Sequence, residues 1–185
     1  MADFNNDGNL DIAVVDAVSN LLTVWIGDGK GNFTAKPPLT GFFAGPAANG
    51  DFDGDGNFDI AVKVAPTIAR VYFGVGDGTF SALVSIDDSS MDPFGSGVSV
   101  LAAVDLNGDG HSDLVFSGPA NPNLFQVSTV LDAYFSGNSR TFTPTGFGTA
   151  FDGGSYAIVL ADVNGDGWPD VIVPSNFQLI EMLSN

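Results

Sequence analysis

The chain has 185 residues, with 22 acidic against 5 basic side chains, a formal charge of −17 and a 44% hydrophobic content. That apolar share argues against disorder by charge excess, and so few basic residues exclude a nucleic-acid surface or an anionic-membrane surface. The longest apolar runs, residues 98–104 and 156–161, are too short to cross a bilayer, and the absence of Cys removes disulfides, thiol chemistry and Cys-ligated zinc. No basic-then-apolar leader opens the sequence, so a secretion signal is expected to lie outside it.

In chain order, the first element is an acidic segment at residues 3–11, which returns without gaps at 51–59, 105–113 and 162–170. The starts lie 48, 54 and 57 residues apart, and the four segments hold 13 of the 22 acids. Each is followed by a short apolar, β-branched run, at residues 12–15, 60–64, 114–116 and 171–173, which predicts a strand. A second apolar stretch carries Trp25, Tyr72 and Tyr134. A Gly- or Ser-rich turn then leads to Phe33, Phe80 and Phe142, eight residues beyond the aromatic in each case. In the fourth unit Met182 takes the aromatic's place. A strand before the acidic segment is predicted at 98–104 and 155–161, and more weakly at 46–50. Residues 117–130 read as an inserted surface loop in the third unit.

Four antiparallel strands in about fifty residues, repeated, is the pattern of a propeller blade. The predicted fold is therefore all-β, with no sustained helical periodicity. It forms one repeat domain with units at about 1–44, 45–93, 94–150 and 151–185, the first and last incomplete. Such a set is a partial propeller or one completed by a second chain.

Within each acidic segment, positions 1, 3, 5 and 9 are oxygen-bearing side chains, position 6 is Gly and position 7 offers its carbonyl. The first loop supplies Asp3, Asn5, Asp7, Asn9 and Asp11, and the second Asp51, Asp53, Asp55, Asn57 and Asp59. The third supplies Asp105, Asn107, Asp109, His111 and Asp113, and the fourth Asp162, Asn164, Asp166, Trp168 and Asp170. Three or four carboxylates in one tight loop repel each other without a cation. Calcium accepts six to eight oxygens in flexible geometry, so one Ca²⁺ per loop, up to four in all, is the expected cofactor. An EF-hand is excluded, because it needs a Glu at position 12 between helices. Val14, Val62, Phe116 and Val173 stand there instead, within strand-like runs. Simple Asn/Asp/Gly hairpin turns remain the alternative reading.

The D-x-[DN]-x-D-G-x-x-D loop ahead of a strand resembles the FG-GAP or VCBS repeat. So do the nearby Phe42, Phe43, Gly45 and Pro46, and the Phe94, Gly95 and Gly97 elements. This repeat builds integrin α-subunit propellers, many secreted bacterial proteins and some fungal lectins. The resemblance implies a calcium-stabilised propeller, usually of seven blades, working outside the cell in adhesion or recognition of a protein or glycan. Four incomplete units depart from that number, which leaves self-association as a route to a ring.

Catalysis has little to stand on. His111, the single His, sits at loop position 7 where its carbonyl is what a cation uses, and no Ser or Cys nucleophile has a paired base. Carboxylates held ionised by calcium are unsuited to general-acid work. The expectation is a non-enzymatic module, with a carbohydrate-binding lectin or an accessory domain of a larger secreted enzyme as alternatives. Trp25, Tyr72 and Tyr134 are expected between blades, and Trp168 is the best candidate sugar contact, packing against its own loop being the competing expectation.

Overall fold

The computed structural model describes residues 1–16, 18–40, 45–65, 67–87, 100–120, 128–145, 151–152, 157–174 and 179–182. No helix occurs among them, and every sheet pairing is antiparallel. No helix among the described residues is long and apolar enough to cross a membrane.

The first sheet holds β1 (Ile12–Asp16), β2 (Leu21–Gly27), β3 (Phe33–Ala35) and the short β4 (Leu39–Thr40), which pairs with β2. The second runs β5 (Ala47–Gly50), β6 (Asp59–Ala65), β7 (Ile68–Gly74) and β8 (Phe80–Asp87) in simple meander order. The third runs β9 (Val100–Val104), β10 (Asp113–Ala120), β11 (Ser128–Gly137) and β12 (Thr141–Pro144), with β13 (Phe151–Asp152) also on β11. The fourth holds β14 (Val159–Ala161), β15 (Asp170–Pro174) and β16 (Leu179–Met182). These meanders, one per unit, have the form of propeller blades.

Strand register confirms the repeat alignment. The residue after each acidic segment faces the aromatic of the next strand: Ile12 opposite Trp25, Ile60 opposite Tyr72 and Leu114 opposite Tyr134. Val171 faces Met182 in the same way, so Met182 does occupy the aromatic's place.

The units stack face to face, because strand alternation gives each sheet two sides and both are apolar in the middle of the array. In β6, Ile60, Val62 and Val64 join a buried cluster with Phe4, Leu22 and Val24 of the first unit. Ala61 of the same strand, with Val71 and Phe73 of β7, joins Leu101, Leu114 and Phe116 of the third. Leu106, Val115, Leu131 and Ala133 then bury Val171 of the fourth. Two recurring Phe residues bind unit to unit edge-on: Phe80 to Phe4, with centroids 6.2 Å apart, and Phe142 to Phe52, 5.9 Å apart.

Three expectations need correction. Residues 117–130 do not form one surface loop. β10 runs to Ala120 and β11 starts at Ser128, with ladder pairs from Ser117–Leu131 to Ala120–Ser128. β9 pairs with β10 from Asp113 to Ser117, and the β10–β11 ladder continues the hairpin to Ala120. Tyr72 and Tyr134 are buried between units, but Trp25 is 40% exposed among the described residues. The strand expected at 155–161 is confined to Val159–Ala161 among the described residues, 155 and 156 lying outside them. The Phe94 element, and Phe42 and Phe43, lie outside the described residues.

Candidate metal centre

Each acidic loop is organised by its own backbone before any cation is considered. The position-1 carboxylate accepts N–H groups from across the loop. Gly8 donates to Asp3, Gly56 to Asp51, Gly110 to Asp105 and Gly167 to Asp162, at 2.7–2.9 Å. The position-5 carboxylate accepts the N–H of position 7: Asp7 from Asn9, Asp55 from Asn57, Asp109 from His111 and Asp166 from Trp168. Closing so tight a ring needs left-handed backbone at position 6, where φ is 85° at Gly8 and 86° at Gly56, so glycine is the residue that fits.

Position 3 divides the loops. Asn5, Asn107 and Asn164 each accept the N–H of the position-5 residue and donate their own Nδ2 to its carboxylate, at 2.8–3.2 Å. The Asn5 amide is the leading cause holding Asp7 below the usual carboxylate range. Asp53 has no such donor to offer. Its Oδ2 instead accepts the Nε of Arg140, 2.7 Å away.

Position 9 does more than a loop ligand must. Asp11, Asp59, Asp113 and Asp170 are fully buried. One oxygen of each accepts the position-2 N–H, from Phe4, Phe52, Leu106 and Val163 respectively. In the first three units the other oxygen accepts an N–H two residues past the strand aromatic, from Gly27, Gly74 and Ser136. The buried carboxylate thereby ties loop, first strand and second strand together. Burial pushes Asp59 up to about 7, with the charges of Asp53 and Asp51 adding to the rise, and pushes Asp113 up to about 6.

In the second loop, Asp51, Asp53 and Asp59 each place an oxygen within 4.8 Å of the others, the one such acidic triad among the described residues. This donor set fits a hard dication: all oxygen, anionic, with an elevated Asp59 that a cation would return to its charged form. The other three loops share the same backbone frame, with Asn replacing the position-3 carboxylate.

The loops lie side by side in a row, through contacts the sequence did not announce. The position-7 side chain of one loop rests on position 4 of the loop before it. Asn57 accepts the side-chain amide of Asn6 at 2.7 Å, while His111 covers Gly54 and Trp168 covers Gly108. Backbone joins them as well, since Ser112 N–H donates to the Asp51 carbonyl at 2.7 Å. The Trp168 ring packs on Gly108 of the preceding loop and remains 41% exposed. A Gly at position 4 was the available signal, because a Cβ on Gly108 would overlap the Trp168 ring. Gly108→Ala is accordingly expected to cost about 2–3 kcal/mol in denaturant unfolding and to shift Trp168 emission. Gly165→Ala has a similar φ of 78° but meets nothing within 4 Å, so it should cost about 1 kcal/mol and leave that emission unchanged.

The FG-GAP-like repeat model matches residues 3–62 and 51–116. The chain is also 32% identical over 110 residues to the bovine phosphatidylinositol-glycan-specific phospholipase D, covering 54% of this chain and 13% of that protein. It is 30% identical over 170 residues to the human protein of the same name, covering 75% of this chain and 20% of the relative. The chain therefore spans at most a fifth of the length of these relatives.

Proposed function

The chain belongs to the FG-GAP-like repeat family, and from that premise we propose a calcium-stabilised β-propeller module that acts outside the cell in adhesion or recognition of a protein or glycan. The observation that carries this reading is the Asp51, Asp53 and Asp59 triad, set in a loop whose frame is repeated along the chain. The ligands are the side chains at positions 1, 3, 5 and 9 of each loop, with the backbone carbonyls of Asn9, Asn57, His111 and Trp168. Bound calcium would supply charge compensation and crosslinking. The residues themselves hold the loop closed, pin it to two strands and seat it against its neighbour. The module carries no chemistry of its own in this reading.

A second reading has specific support: the likeness to part of a phospholipase D favours an accessory segment of a larger secreted enzyme. Calorimetric titration with calcium chloride is expected to give up to four sites per chain, with dissociation constants on the order of 10⁻⁴ to 10⁻³ M as in extracellular modules. No heat of binding at millimolar calcium would overturn the metal assignment. A glycan array run with and without chelator separates the ligand classes, since calcium-dependent spots identify a lectin.

A further inference from the structure

Two departures from the repeat pattern meet in space. The first is Asp53, the one acid at position 3, where the other loops carry Asn5, Asn107 and Asn164. The second is Arg140, at the end of the turn between β11 and β12. Counting from the strand aromatic, its place in the first two units is held by Gly31 and Gly78. Those glycines have φ of 93° and 82°, and Arg140 is at 61° beside Ser139 at 75°, so two successive left-handed residues make this turn. The left-handed backbone belongs to the turn, and the guanidinium that it presents is fixed twice. Its Nε lies 2.7 Å from Asp53 Oδ2, and its Cζ stands 4.4 Å over the buried Phe73 ring.

The atoms at position 3 show what is being matched. In the sibling loops the Asn Oδ1 accepts the position-5 N–H, and Nδ2 is the donor beside it. In the second loop Asp53 Oδ1 also lies toward the Asp55 N–H, at 3.3 Å. Oδ2 therefore stands where the siblings have Nδ2, and that is the oxygen Arg140 takes. Four carboxylates less one guanidinium leaves the formal charge of the second loop at −3, equal to that of each sibling.

Resting on the calcium reading above, we propose that Arg140 is an affinity-setting residue for the second loop, a counter-charge lent by the third unit that cancels the extra acid at Asp53. It holds this loop's cation affinity close to that of its siblings and couples it to the docking of the neighbouring unit.

The position-6 glycine amides provide one reporter per loop, because Gly8, Gly56, Gly110 and Gly167 each donate to the position-1 carboxylate of their own loop. Calcium chloride is titrated into the ¹⁵N-labelled chain, its Arg140→Gly variant and the Asp53→Asn/Arg140→Gly double variant, following these four amides. Glycine is the sibling residue at this place and readily adopts the φ of 61° found at Arg140, so the variant keeps a backbone the turn accepts. In Arg140→Gly the Gly56 midpoint is expected to fall about three- to tenfold in calcium, the partial exposure of Arg140 limiting the gain. The Gly8 midpoint is expected to stay in place, and the double variant to return Gly56 to within about twofold of the parent. An unchanged or raised Gly56 midpoint in Arg140→Gly overturns the proposal, as does failure of the double variant to return it. If no glycine amide responds to calcium in the parent chain, it is the calcium reading itself that falls.

Discussion

Excess chelator is expected to lower the melting temperature at pH 8 by on the order of 5 to 20 °C. With dissociation constants of about 10⁻⁴ to 10⁻³ M, millimolar calcium adds roughly 0.4 to 1.4 kcal/mol per site. Four sites then contribute about 2 to 6 kcal/mol, against a typical total of about 5 to 15 kcal/mol. In a chain of this size each kcal/mol moves the midpoint by about 2–4 °C. Proton binding gives the effect a sign in pH. Asp59 and Asp113 have folded-state values raised to about 7 and about 6, chiefly by burial. Between the ordinary carboxylate value and those raised values, the folded metal-free chain binds more protons than the unfolded one. The contribution of these two groups to apo stability therefore falls as pH rises from about 4 to about 7. Calcium requires both ionised, so protons compete with it. The calcium-induced rise in melting temperature should accordingly shrink from pH 8 to pH 5. Scanning calorimetry across that range with and without calcium measures it, and a melt indifferent to chelator at pH 8 would sink the metal's stabilising role.

The sequence states what one unit does and says little of how units meet. Loop spacing, the following strand and the aromatic eight residues before a Phe all belong to one blade, and the registers of Ile12 with Trp25 and Val171 with Met182 reproduce them. The loop and ring contacts between blades join residues of different units that lie 50 to 90 residues apart, so no local pattern along the chain marks them. Arg140 and Asp53 are 87 residues apart, so only the stacking of two sheets brings them together. The seats for His111 and Trp168 had a weak trace, a second Gly at position 4 of the second and third loops, which a turn requirement alone would also explain. The length of the β10–β11 hairpin was hidden by Pro119 and its Gly and Asn neighbours, which read as turn formers. The buried role of position 9 was hidden differently. An Asp at the close of an acidic loop reads as a cation ligand, and its two backbone donors come from residues seven before and fifteen after Asp59.

That dual role separates two substitutions that a ligand list would treat as equal. Asp59→Ala removes the acceptor for the Phe52 N–H at 2.8 Å and the Gly74 N–H at 2.7 Å. Asp59 is wholly buried, so water cannot readily replace it. An unsatisfied buried donor costs about 1–3 kcal/mol, so Asp59→Ala should lose about 2 to 6 kcal/mol even in chelator. Asp59→Asn keeps one acceptor and turns an amide N–H toward the other donor, and should lose roughly half as much. Asp55→Ala removes an exposed carboxylate that accepts the Asn57 N–H at 2.8 Å. In chelator it should fall within about 0.5 kcal/mol of the parent chain. With calcium present, Asp55→Ala should lose the stabilisation contributed by the second site. Urea unfolding of the three variants, each with calcium and with chelator, gives six midpoints that resolve the two roles. Equal losses for Asp59→Ala and Asp55→Ala in chelator would show that the buried carboxylate is a cation ligand alone. A large loss for Asp59→Ala in both conditions, with a calcium-dependent loss for Asp55→Ala, is the expected pattern. It follows from where the two carboxylates sit, one inside the sheet junction and one on the loop rim.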